Sequence, residues 1–495
     1  MRLLRPLIRS FQSNFVRSAV WLAPRSGLVL RRNLGRRSLS TVPAGALRFG
    51  QPIHETHPHI LEPGEGKLPP RPNKQDQITP GISAQEYADR RAALANALPD
   101  GSVAVVSGAT LRYKSGAVFY PFRQETNLFW LTGWNEPDVV ALISKTGPRL
   151  GDYHFQMFVR PKDAFQEQWS GYRNGVDAAT EIFNADSSQS IAALESALPR
   201  ILDAADHVYA DTDPTSATTA QQALSKVSAK TKPLSPLMND LRVIKSPAEI
   251  ANMRKAGRAS GRAITDAMRK AWTGERDLHA FLDYQFIVNG CEGTAYTSVI
   301  AGGERANCIH YTSNNDVFRD GEFILVDAGG EYGSYISDIS RTWPVSGRFT
   351  PAQRDLYEAV LRVQRSGVSL CRESASMSLE DIHGVTVRGL LDELKALGFD
   401  VSSENVQQIF PHYVGHYIGL DVHDCPGYNR REKLRKGHCI TIEPGVYVPD
   451  DERWPSHFRG MGIRIEDSVC VDDDSPYVLS TEAVKEVDDI EALRS

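Results

Sequence analysis

The sequence contains no uninterrupted run of about 18 apolar residues, the length that a membrane-spanning helix requires. It is also poor in cysteine, and no two cysteines are spaced as a CxxC pair. All six lie in the second half of the chain: Cys291, Cys308, Cys371, Cys425, Cys439 and Cys470. These absences argue against a transmembrane segment and against a disulfide framework, so we expect reduced thiols in an intracellular compartment.

What the sequence does contain is typical of a globular protein. Hydrophobic residues make up 41% of the chain and charged residues 24%, which are ordinary values for folded domains. A chain of 495 residues is longer than a domain with a single hydrophobic core usually is. We therefore expect two domains with extensions.

Acidic residues are missing from the first fifty positions, which hold ten arginines and no lysine. The whole chain has a formal net charge of −5, and this leader contributes +10, so residues 51–495 carry −15. An acidic body argues against nucleic acid as the main partner.

The basic leader, residues 1–39, is predicted to be a mitochondrial presequence. Serines are frequent in it, and its first arginines recur at helical spacing, at Arg2, Arg5 and Arg9. The segment RSLS at positions 37–40 is similar to a matrix processing site, so the mature protein would begin near Leu39 or Ser40. A disordered basic tail with another purpose is the alternative.

Residues 40–80 are predicted to form an extended arm, because they are rich in proline, glycine and histidine and show no periodicity. The arm contains the segment HETHPH, with His54, His57 and His59. Histidines at this spacing occasionally bind a metal ion, but exposure on a surface arm is the expectation here.

A first domain is predicted over residues 81–240, where Ser83 and Glu86 form a capping box at the start of a helix. Apolar, strand-like runs follow at 102–106, 128–133, 139–144 and 153–159, and helical stretches near 190–202 and 215–227. Strands mixed with helices indicate an α/β domain, with a mixed sheet and helices on both faces. The segment holds no cluster of titratable residues that would make it catalytic by itself.

A second domain is predicted over residues 241–490. The segment SPAE at 246–249 supplies an N-cap, a proline at the first helical position and a capping glutamate, for a helix that ends near Ala271. The segment TPAQ at 350–353 repeats this device for a helix that ends near Cys371.

The repetition continues in the strands of this second domain. Gly321 precedes Asp327 by six residues in GEFILVDAGG, and Gly437 precedes Glu443 by six in GHCITIEPGV. Each half therefore consists of two helices followed by strands, with a carboxylate at the end of a matched strand. We interpret this as an internal duplication around a pseudo-two-fold axis, although one glycine and one acid are also compatible with coincidence.

Four carboxylates lie in apolar, strand-like runs: Asp327, Asp338, Glu443 and Glu466. A close pair of like charges costs roughly 4 kcal/mol at the effective dielectric constant near a protein surface. Four ionised acids would therefore either point outwards or be held by cations. For Glu466 alone, the alternation in IRIED is compatible with the solvent face. Four such acids together with His416 predict a metal centre.

The chemistry of these side chains indicates the metal and the reaction. The turn at 331–334 lies between Asp327 and Asp338, so their strands are predicted to pair as a hairpin with both acids on one face. Oxygen ligands with one imidazole suit Mn²⁺ or Co²⁺, whereas a structural Zn²⁺ prefers thiolates and histidines. The acids are too many for one ion, and bridging carboxylates hold two ions about 3.5–4 Å apart. Such a pair activates water and polarises a carbonyl, so we predict hydrolysis, with an amide as the favoured substrate.

Other residues are candidates with alternatives. His310, in NCIHYT, is compatible with a site residue or with a core or turn residue. His412 and His423 flank His416 and are expected to share its cavity. Arg464 lies two residues before Glu466, on the same face of a strand, and can pair with a ligand carboxylate; an ordinary strand arginine is the alternative.

Longer segments carry a resemblance to a known family. They are VDAGGEYGSYISDISRTWPV, HYVGHYIGLDVHD, ITIEPGVYV and GMGIRIEDSV. These resemble the signatures of the pita-bread metallopeptidases, and among them the aminopeptidase P type. The segment FYPFRQETNLFWLTGWNEPD, at 119–138, is similar to the amino-terminal domain of that type. The resemblance covers about residues 80–490 and implies an α/β domain followed by an α+β pita-bread catalytic domain with pseudo-two-fold symmetry.

The resemblance implies a set of metal ligands and a base. The ligands would be Asp327 for one Mn²⁺ ion, His416 and Glu443 for the other, and Asp338 and Glu466 as bridges between both. Glu443 would also act as the base. Co²⁺ or Zn²⁺ would be alternatives to Mn²⁺.

It also implies a substrate pocket. His310 and His412 would line the pocket, and His423 would contact the scissile carbonyl or share in proton transfer. Arg464 and Tyr447 would shape the pocket. Trp169, in EQWSGYRNG, matches an aromatic residue that some relatives donate to the site of a neighbouring subunit.

The activity implied is that of a metal-dependent aminopeptidase acting on the amino termini of peptides or proteins, as a homodimer or higher oligomer. Relatives with such a leader and arm are mitochondrial. We therefore expect the matrix side, or the periphery of the inner membrane, and removal of a single Leu, Phe or Tyr from imported proteins after presequence cleavage. Its own Leu39 would be such a residue.

Two alternatives use the same fold: a strict Xaa-Pro aminopeptidase and a prolidase-like dipeptidase. A binding protein that keeps the shell without the chemistry is disfavoured, because all five ligand positions are filled.

Overall fold

In a computed structural model of the protein, the described residues are 77–149, 151–213 and 218–494. The predicted presequence with its processing site, nearly all of the predicted arm and the three histidines of that arm lie outside the described residues.

The amino-terminal part of the described chain alternates strands and helices. Its strands are β1 (Gln77–Thr79), β2 (Ile82–Ser83), β3 (Ser102–Ser107), β4 (Tyr113–Ser115), β5 (Val118–Phe119), β6 (Val140–Lys145), β7 (Tyr153–Val159), β8 (Ser187–Ser190), β9 (His207–Tyr209) and β10 (Thr231–Lys232). Its helices are α1 (Ala84–Ala97), α2 (Thr126–Thr132), α3 (Ala164–Ser170), α4 (Gly175–Glu181), α5 (Leu194–Ala204), α6 (Thr219–Lys226) and α7 (Ser235–Arg242).

Six of these strands form a mixed sheet in the order β10-β9-β3-β6-β7-β8. Strand β3 is parallel to β9 and antiparallel to β6. Its side chains alternate between two cores: Val103 and Val105 pack with α5 and α6, whereas Ala104 and Val106 pack with α1 and α4. The predicted mixed sheet with helices on both faces is therefore confirmed.

The predictions for single elements of this part need two corrections. The run 128–133 is not a strand: its residues 128–132 belong to helix α2, which Glu125 caps by accepting a hydrogen bond from the Leu128 N–H and which Gly133 closes with φ of +71°. The N-cap of α1 at Ser83 is confirmed, but the reciprocal bond of a capping box is not formed, because the Glu86 carboxylate pairs with Arg90 at 2.6 Å. Strand β1 lies inside the predicted arm, where it pairs with β2.

The carboxy-terminal part is built from two similar halves. Its strands are β11 (Gly293–Thr294), β12 (Val299–Gly302), β13 (Phe323–Asp327), β14 (Gly330–Tyr332), β15 (Tyr335–Ile336), β16 (Ser340–Pro344), β17 (Cys439–Ile442), β18 (Gly445–Tyr447), β19 (Gly462–Arg464), β20 (Asp467–Cys470) and β21 (Tyr477–Val478). Its helices are α8 (Pro247–Met268), α9 (Glu275–Val288), α10 (Pro351–Ser369), α11 (Leu379–Ala396) and α12 (Val487–Ala492).

Each half opens with a capped helix and leads to a three-stranded sheet. Capping boxes with a following proline start α8 at Ser246 and α10 at Thr350, as predicted, and both helices end slightly before the predicted residue. The two sheets are β12-β13-β16 and β17-β20-β21. The matched glycines before β13 and β17, Gly321 and Gly437, both have a left-handed backbone, with φ of +83° and +88°. This repetition agrees with the predicted pseudo-two-fold symmetry.

The predicted hairpin between Asp327 and Asp338 is present. Strand β13 pairs with β16, and β14 pairs with β15 across a tight turn. The two central residues of the turn, Gly333 and Ser334, have φ of +57° and +65°, which is the backbone of a type I′ turn. The turn returns the chain so that Asp338 comes back beside the end of β13.

Two further expectations concern the described residues. No helix among them combines the length and hydrophobicity that crossing a bilayer requires. All six cysteines are free thiols, and five of them are buried, as expected without a disulfide framework.

Candidate metal centre and active site

The four predicted acids lie where strands end or break. Asp327 is the last residue of β13, and Asp338 lies between β15 and β16. Glu443 follows β17, and Glu466 lies between β19 and β20. At a break the chain leaves the regular alternation of a strand, so side chains from four segments can turn towards one space.

His416 joins three of these acids. Ligand atoms of Asp338, His416 and Glu466 all lie within 4.8 Å of one another. The Nε2 atom of His416 is 3.5 Å from Asp338 Oδ2 and 3.5 Å from Glu443 Oε1. Two atoms that bind one ion at about 2.0–2.2 Å are separated by roughly 3–3.5 Å, so these distances suit a shared cation.

The other ring nitrogen of His416 fixes the orientation of the imidazole. Nδ1 lies 3.1 Å from the carbonyl oxygen of Tyr417, a contact that requires Nδ1 to donate. The lone pair of a neutral imidazole is then on Nε2, which faces the acids. Metal-binding histidines are commonly oriented in this way by a backbone carbonyl.

Asp327 is connected to Asp338 through a tyrosine that sequence reasoning missed. The hydroxyl of Tyr296 lies 2.8 Å from Asp327 Oδ1 and 2.5 Å from Asp338 Oδ1. Tyr296 lies between β11 and β12, in a short polar segment with no pattern that distinguishes it from a surface tyrosine. Burial and the two aspartates raise its pKa well above the ordinary value, so the hydroxyl keeps its proton.

The proximity of the acids perturbs their ionisation. Burial and the neighbouring carboxylates raise the pKa of Glu466 well above its usual range and the pKa of Glu443 to about 7. Burial also opposes ionisation of Asp338, but the hydrogen bond and charge of His416 outweigh it and lower the pKa. The pKa of His416 rises to about 9, because Asp338 and Glu443 outweigh the effect of its burial. A divalent cation would remove this mutual repulsion.

Glu466 provides a direct test of whether a metal ion fits. Its Oε2 atom accepts a hydrogen bond from the Ser340 hydroxyl at 2.7 Å. Its Oε1 atom is buried and has no hydrogen-bond partner among the described residues. A buried carboxylate oxygen without a partner is costly, and a bound cation would supply one. The donor set, oxygen atoms with one imidazole nitrogen, suits a hard or borderline ion.

Arg464 lies behind the acids, with 1% of its side chain exposed. It donates to Asp327 Oδ2 at 2.8 Å and to the Ser340 hydroxyl at 2.8 Å. The predicted pairing with a candidate ligand carboxylate therefore exists, but the partner is Asp327 and not the neighbouring Glu466.

A chain of hydrogen bonds runs from Arg464 to His412. Arg464 donates to the Tyr447 hydroxyl at 2.7 Å, and this hydroxyl lies 2.8 Å from His412 Nε2. The His412 Nδ1 atom lies 2.8 Å from the Tyr413 carbonyl and must donate to it, so Nε2 accepts from Tyr447. Burial and the charge of Arg464 lower the pKa of His412 to about 4, which keeps this ring neutral at pH 7.

The remaining predicted site residues differ in their placement. The His423 ring lies 4.3 Å from the His416 ring, centroid to centroid, and its pKa is lowered by burial and by His416. His310 is exposed, and it is among the smaller causes that lower the pKa of both His412 and His423. Trp169 is not brought to the cluster within this chain: it is 77% exposed on α3, where its ring contacts Phe165.

Two family models match the chain. "Metallopeptidase family M24" matches residues 251–473, which include the acid cluster. "Aminopeptidase P, N-terminal domain" matches residues 87–209, which include the mixed sheet from β3 to β9.

Whole proteins are similar over nearly the full length. "Intermediate cleaving peptidase 55" of Saccharomyces cerevisiae is 48% identical over 463 residues, which are 90% of this chain and 88% of that protein. "Xaa-Pro aminopeptidase 3" of Homo sapiens is 38% identical and covers 93% of this chain and 94% of its own length. "Intermediate cleaving peptidase 55, mitochondrial" of Arabidopsis thaliana is 34% identical, with 90% and 87% covered.

The fold agrees with these similarities. A crystal structure of the yeast protein Icp55 superposes with a TM-score of 0.79 at 47% sequence identity and covers 84% of this chain and 98% of that chain. Both parts of the described chain have a counterpart in known peptidases, and the convergent acids lie in the part that matches a metallopeptidase. The chain therefore belongs to the metallopeptidases of family M24, as a peptidase of the aminopeptidase P type.

Proposed function

We propose that the protein is a metal-dependent aminopeptidase that removes one residue, Leu, Phe or Tyr, from the amino terminus of imported mitochondrial proteins after presequence cleavage. The relatives named intermediate cleaving peptidase, one of them with the word mitochondrial, and the basic leader support this substrate class. The observation that carries the chemistry is the convergence of Asp338, His416 and Glu466 within 4.8 Å, next to Glu443.

The proposed cofactor is a pair of divalent ions, with Mn²⁺ favoured over Co²⁺ or Zn²⁺ because the donors are mostly oxygen atoms. The proposed ligands are Asp327 for one ion, His416 and Glu443 for the other, and Asp338 and Glu466 as bridges. When bound, such ions supply a Lewis acid and lower the pKa of water.

Side chains of the protein itself would accept and donate the protons of the reaction. Glu443 is proposed as the general base that takes a proton from water, because its carboxylate lies within the acid cluster, with Oε1 3.5 Å from His416 Nε2. Burial and the charge of Arg464 lower the pKa of His412 and keep its ring neutral, and the Tyr447 hydroxyl orients the ring. His412 can therefore line the pocket without repelling a substrate ammonium group. His310 and His412 are proposed to line the substrate pocket, and His423 is proposed to contact the scissile carbonyl or to share in proton transfer.

Several wider features belong to the same proposal. We place the domain boundary near residue 240, between an amino-terminal domain at 81–240 and a catalytic domain at 241–490, in line with the two family matches. The exposure of Trp169 supports a homodimer or higher oligomer in which this ring reaches a neighbouring site. The proposed location is the matrix side of mitochondria.

A peptide panel tests the proposal. The purified protein with Mn²⁺ is incubated with peptides that vary at the first two positions and in length. We expect release of a first Leu, Phe or Tyr whether or not proline follows. Release only before proline would favour the Xaa-Pro aminopeptidase that the human relative is named for, and cleavage of dipeptides alone would favour a prolidase-like enzyme.

Variants connect this activity to the acid cluster. Glu443→Ala should abolish release and keep the fold, whereas Glu452→Ala, at an exposed acid, should retain activity. Full activity of Glu443→Ala would overturn the assignment of the site.

A further inference from the structure

A buried group of charges holds the loop that carries His416 and His423. Asp424 follows His423 directly, and only 1% of its side chain is exposed. One carboxylate oxygen accepts from the Arg242 guanidinium, and the other lies 2.8 Å from Lys245 Nζ. We call Arg242, Lys245 and Asp424 the loop clamp.

The two cations of the loop clamp make further hydrogen bonds, as buried charges require. Lys245 Nζ also donates to the Arg242 carbonyl at 2.7 Å, and Arg242 Nη1 donates to Asn127 Oδ1 at 2.6 Å. Burial opposes ionisation of Asp424, but the two cations outweigh it and lower its pKa to about 2. The carboxylate therefore stays charged at neutral pH, and loss of either cation would leave a buried charge without its partner.

A second set of contacts ties the same loop to the amino-terminal part of the chain. Asp421 Oδ1 accepts from the Thr126 hydroxyl at 2.8 Å and lies 3.3 Å from Arg123 Nη1. Arg123 also donates to the Leu420 carbonyl. Arg242 Nη2 lies 3.3 Å from Asp421 Oδ2, so it joins this set to the loop clamp.

The loop is packed closely against the loop clamp at Gly419. A Cβ atom placed on Gly419 would lie 2.6 Å from Asp424 Oδ2 and 2.6 Å from Lys245 Cε. On the other side, the Gly419 carbonyl accepts from the N–H of Ile336 at 2.9 Å, two residues before Asp338. The loop is therefore fixed between the loop clamp and the segment that leads to the acid cluster.

We propose that the loop clamp is a positioning device for peptide hydrolysis, which holds His423 beside His416 and makes turnover depend on α7 and the amino-terminal domain. The inference rests on the proposed function, because it assumes that peptides are cleaved beside His416. Arg242 and Lys245 act only through Asp424 and the loop, so they are positioning residues. A displacement of about 1 Å at a reacting group can lower a rate about a hundredfold.

The alternative is that these charges only join two parts of the chain, and the protein offers a matched control for that role. Arg90 on α1 is 6% exposed and lies 2.6 Å from Glu86 and 3.4 Å from Glu249 at the start of α8. It joins the same two parts through buried charges, but it contacts neither Asp421 nor Asp424.

The experiment compares Arg242→Lys with Arg90→Lys, each in the wild-type and in the His423→Ala background. Lysine keeps the charge but cannot reach Asp424, Asp421 and Asn127 together. We measure kcat, KM, manganese content and the midpoint of thermal unfolding, with a peptide that begins with Leu. Arg242→Lys should lower kcat about tenfold or more, with KM and manganese content within about twofold. Arg90→Lys should lower only the midpoint of unfolding.

The His423→Ala background separates positioning from general stability. If Arg242 acts through His423, Arg242→Lys should cause less than about a twofold further loss of kcat in that background. The proposal would be overturned if Arg242→Lys lowered kcat by the same factor in both backgrounds, or if Arg90→Lys lowered kcat as much as Arg242→Lys does.

Two further outcomes are distinguishable. If Arg242→Lys does not fold, Asp421→Asn replaces it, at a side chain that is 32% exposed. We expect Asp421→Asn to lower kcat about threefold in the wild-type background and to cause a smaller further loss in the His423→Ala background. A wild-type enzyme that releases no residue from any peptide would refute the proposed function itself, and the role of the loop clamp with it.

Discussion

Single side chains around the acid cluster decide how firmly the acids are held. The Tyr296 hydroxyl has one proton and two carboxylates within reach, Asp327 and Asp338. The Ser340 hydroxyl donates a hydrogen bond to Glu466. Groups that orient ligands in this manner commonly change metal affinity 10- to 100-fold when they are removed.

Tyr296→Phe should therefore weaken metal binding without unfolding the protein. The ring remains, but Asp327 and Asp338 lose the hydroxyl that orients them both. We expect the dissociation constant for Mn²⁺ to rise roughly tenfold, measured by calorimetric titration of the metal-free protein.

Tyr335→Phe is the matched control for this substitution. The Tyr335 hydroxyl is buried and donates to Glu249 at 2.7 Å, away from the four acids. Its removal should lower the free energy of unfolding and leave the affinity for Mn²⁺ unchanged. An equal loss of affinity in both variants would show that Tyr296 has no specific role.

A buried glutamate outside the site makes stability depend on pH. Glu136 Oε1 accepts from the Asn174 N–H at 2.7 Å, whereas Oε2 is buried and has no partner among the described residues. Burial raises the pKa of Glu136 to about 7. The folded state therefore keeps a proton that the unfolded chain loses near pH 4.3, so this residue lowers stability progressively as the pH rises towards 7.

Glu136→Gln should remove that dependence. The amide keeps the acceptor for Asn174 and carries no charge. We expect the free energy of unfolding to rise by on the order of 1–3 kcal/mol at pH 8 and to change little at pH 5, measured by urea denaturation. Glu181→Gln, at an exposed acid on α4, should show no such difference, and an equal gain at both pH values for Glu136→Gln would contradict the argument.

The sequence could indicate the acids of the cluster but not the groups that hold them. An acid such as Asp327 or Glu466 is conspicuous inside an apolar run, because ionised carboxylates are rarely buried without a partner. A serine at the start of a strand, such as Ser340, or a tyrosine in a short loop, such as Tyr296, carries no such signal. The contacts that matter also span long separations, 42 residues for Tyr296 with Asp338 and 126 for Ser340 with Glu466.

At the scale of elements, patterns with several reinforcing signals were predicted best. The helices α8 and α10 each begin with an N-cap, a proline and a capping residue, and all three signals favour the same start. The run 128–133 offered only apolar character, which does not distinguish a short strand from a buried helix. Its helix depends on Glu125, which lies before the run, and on Gly133, the glycine that closes it.

The turn between β14 and β15 gives a prediction for this scale. Ser334 has φ of +65°, a conformation that costs a residue with a Cβ roughly 1–2 kcal/mol, and type I′ turns favour glycine there. Ser334→Gly should raise the free energy of unfolding by about 0.5–1 kcal/mol, because glycine removes the strain at some cost in unfolded-state entropy. Thermal or urea denaturation measures it.

Ser374→Gly is the control for this turn. Ser374 is exposed in a short 3₁₀ helix, and it is not among the residues with positive φ. Glycine relieves no backbone strain at this position and increases the entropy of the unfolded chain. We therefore expect the free energy of unfolding to fall by about 0.5 kcal/mol. A gain of similar size in both variants would mean that the backbone of Ser334 is not the cause.

At the scale of the whole molecule, the described amino-terminal part is joined to the carboxy-terminal part, which holds the acid cluster. Its side chains meet the carboxy-terminal part through buried charges at Arg90 and Glu249 and at Arg242 and Asp424. The sequence predicted both parts, since each has its own pattern of strands and helices. It could not predict how they meet, because residues such as Thr126 and Asp421 are 295 positions apart and neither is unusual in its local segment.

The proposed function also applies to the protein's own amino terminus, in a part of the chain outside the described residues. If processing cuts before Leu39 and the enzyme then removes that residue, mitochondria should contain protein that begins at Ser40. Mass spectrometry of the mature amino terminus measures this. In cells whose only copy is Glu443→Ala, the terminus should remain at Leu39, because the variant has lost its proposed base, whereas cells with Glu452→Ala should yield Ser40. A wild-type protein that still begins at Leu39 would contradict the proposed preference for leucine, since this substrate is present at the same concentration as the enzyme itself.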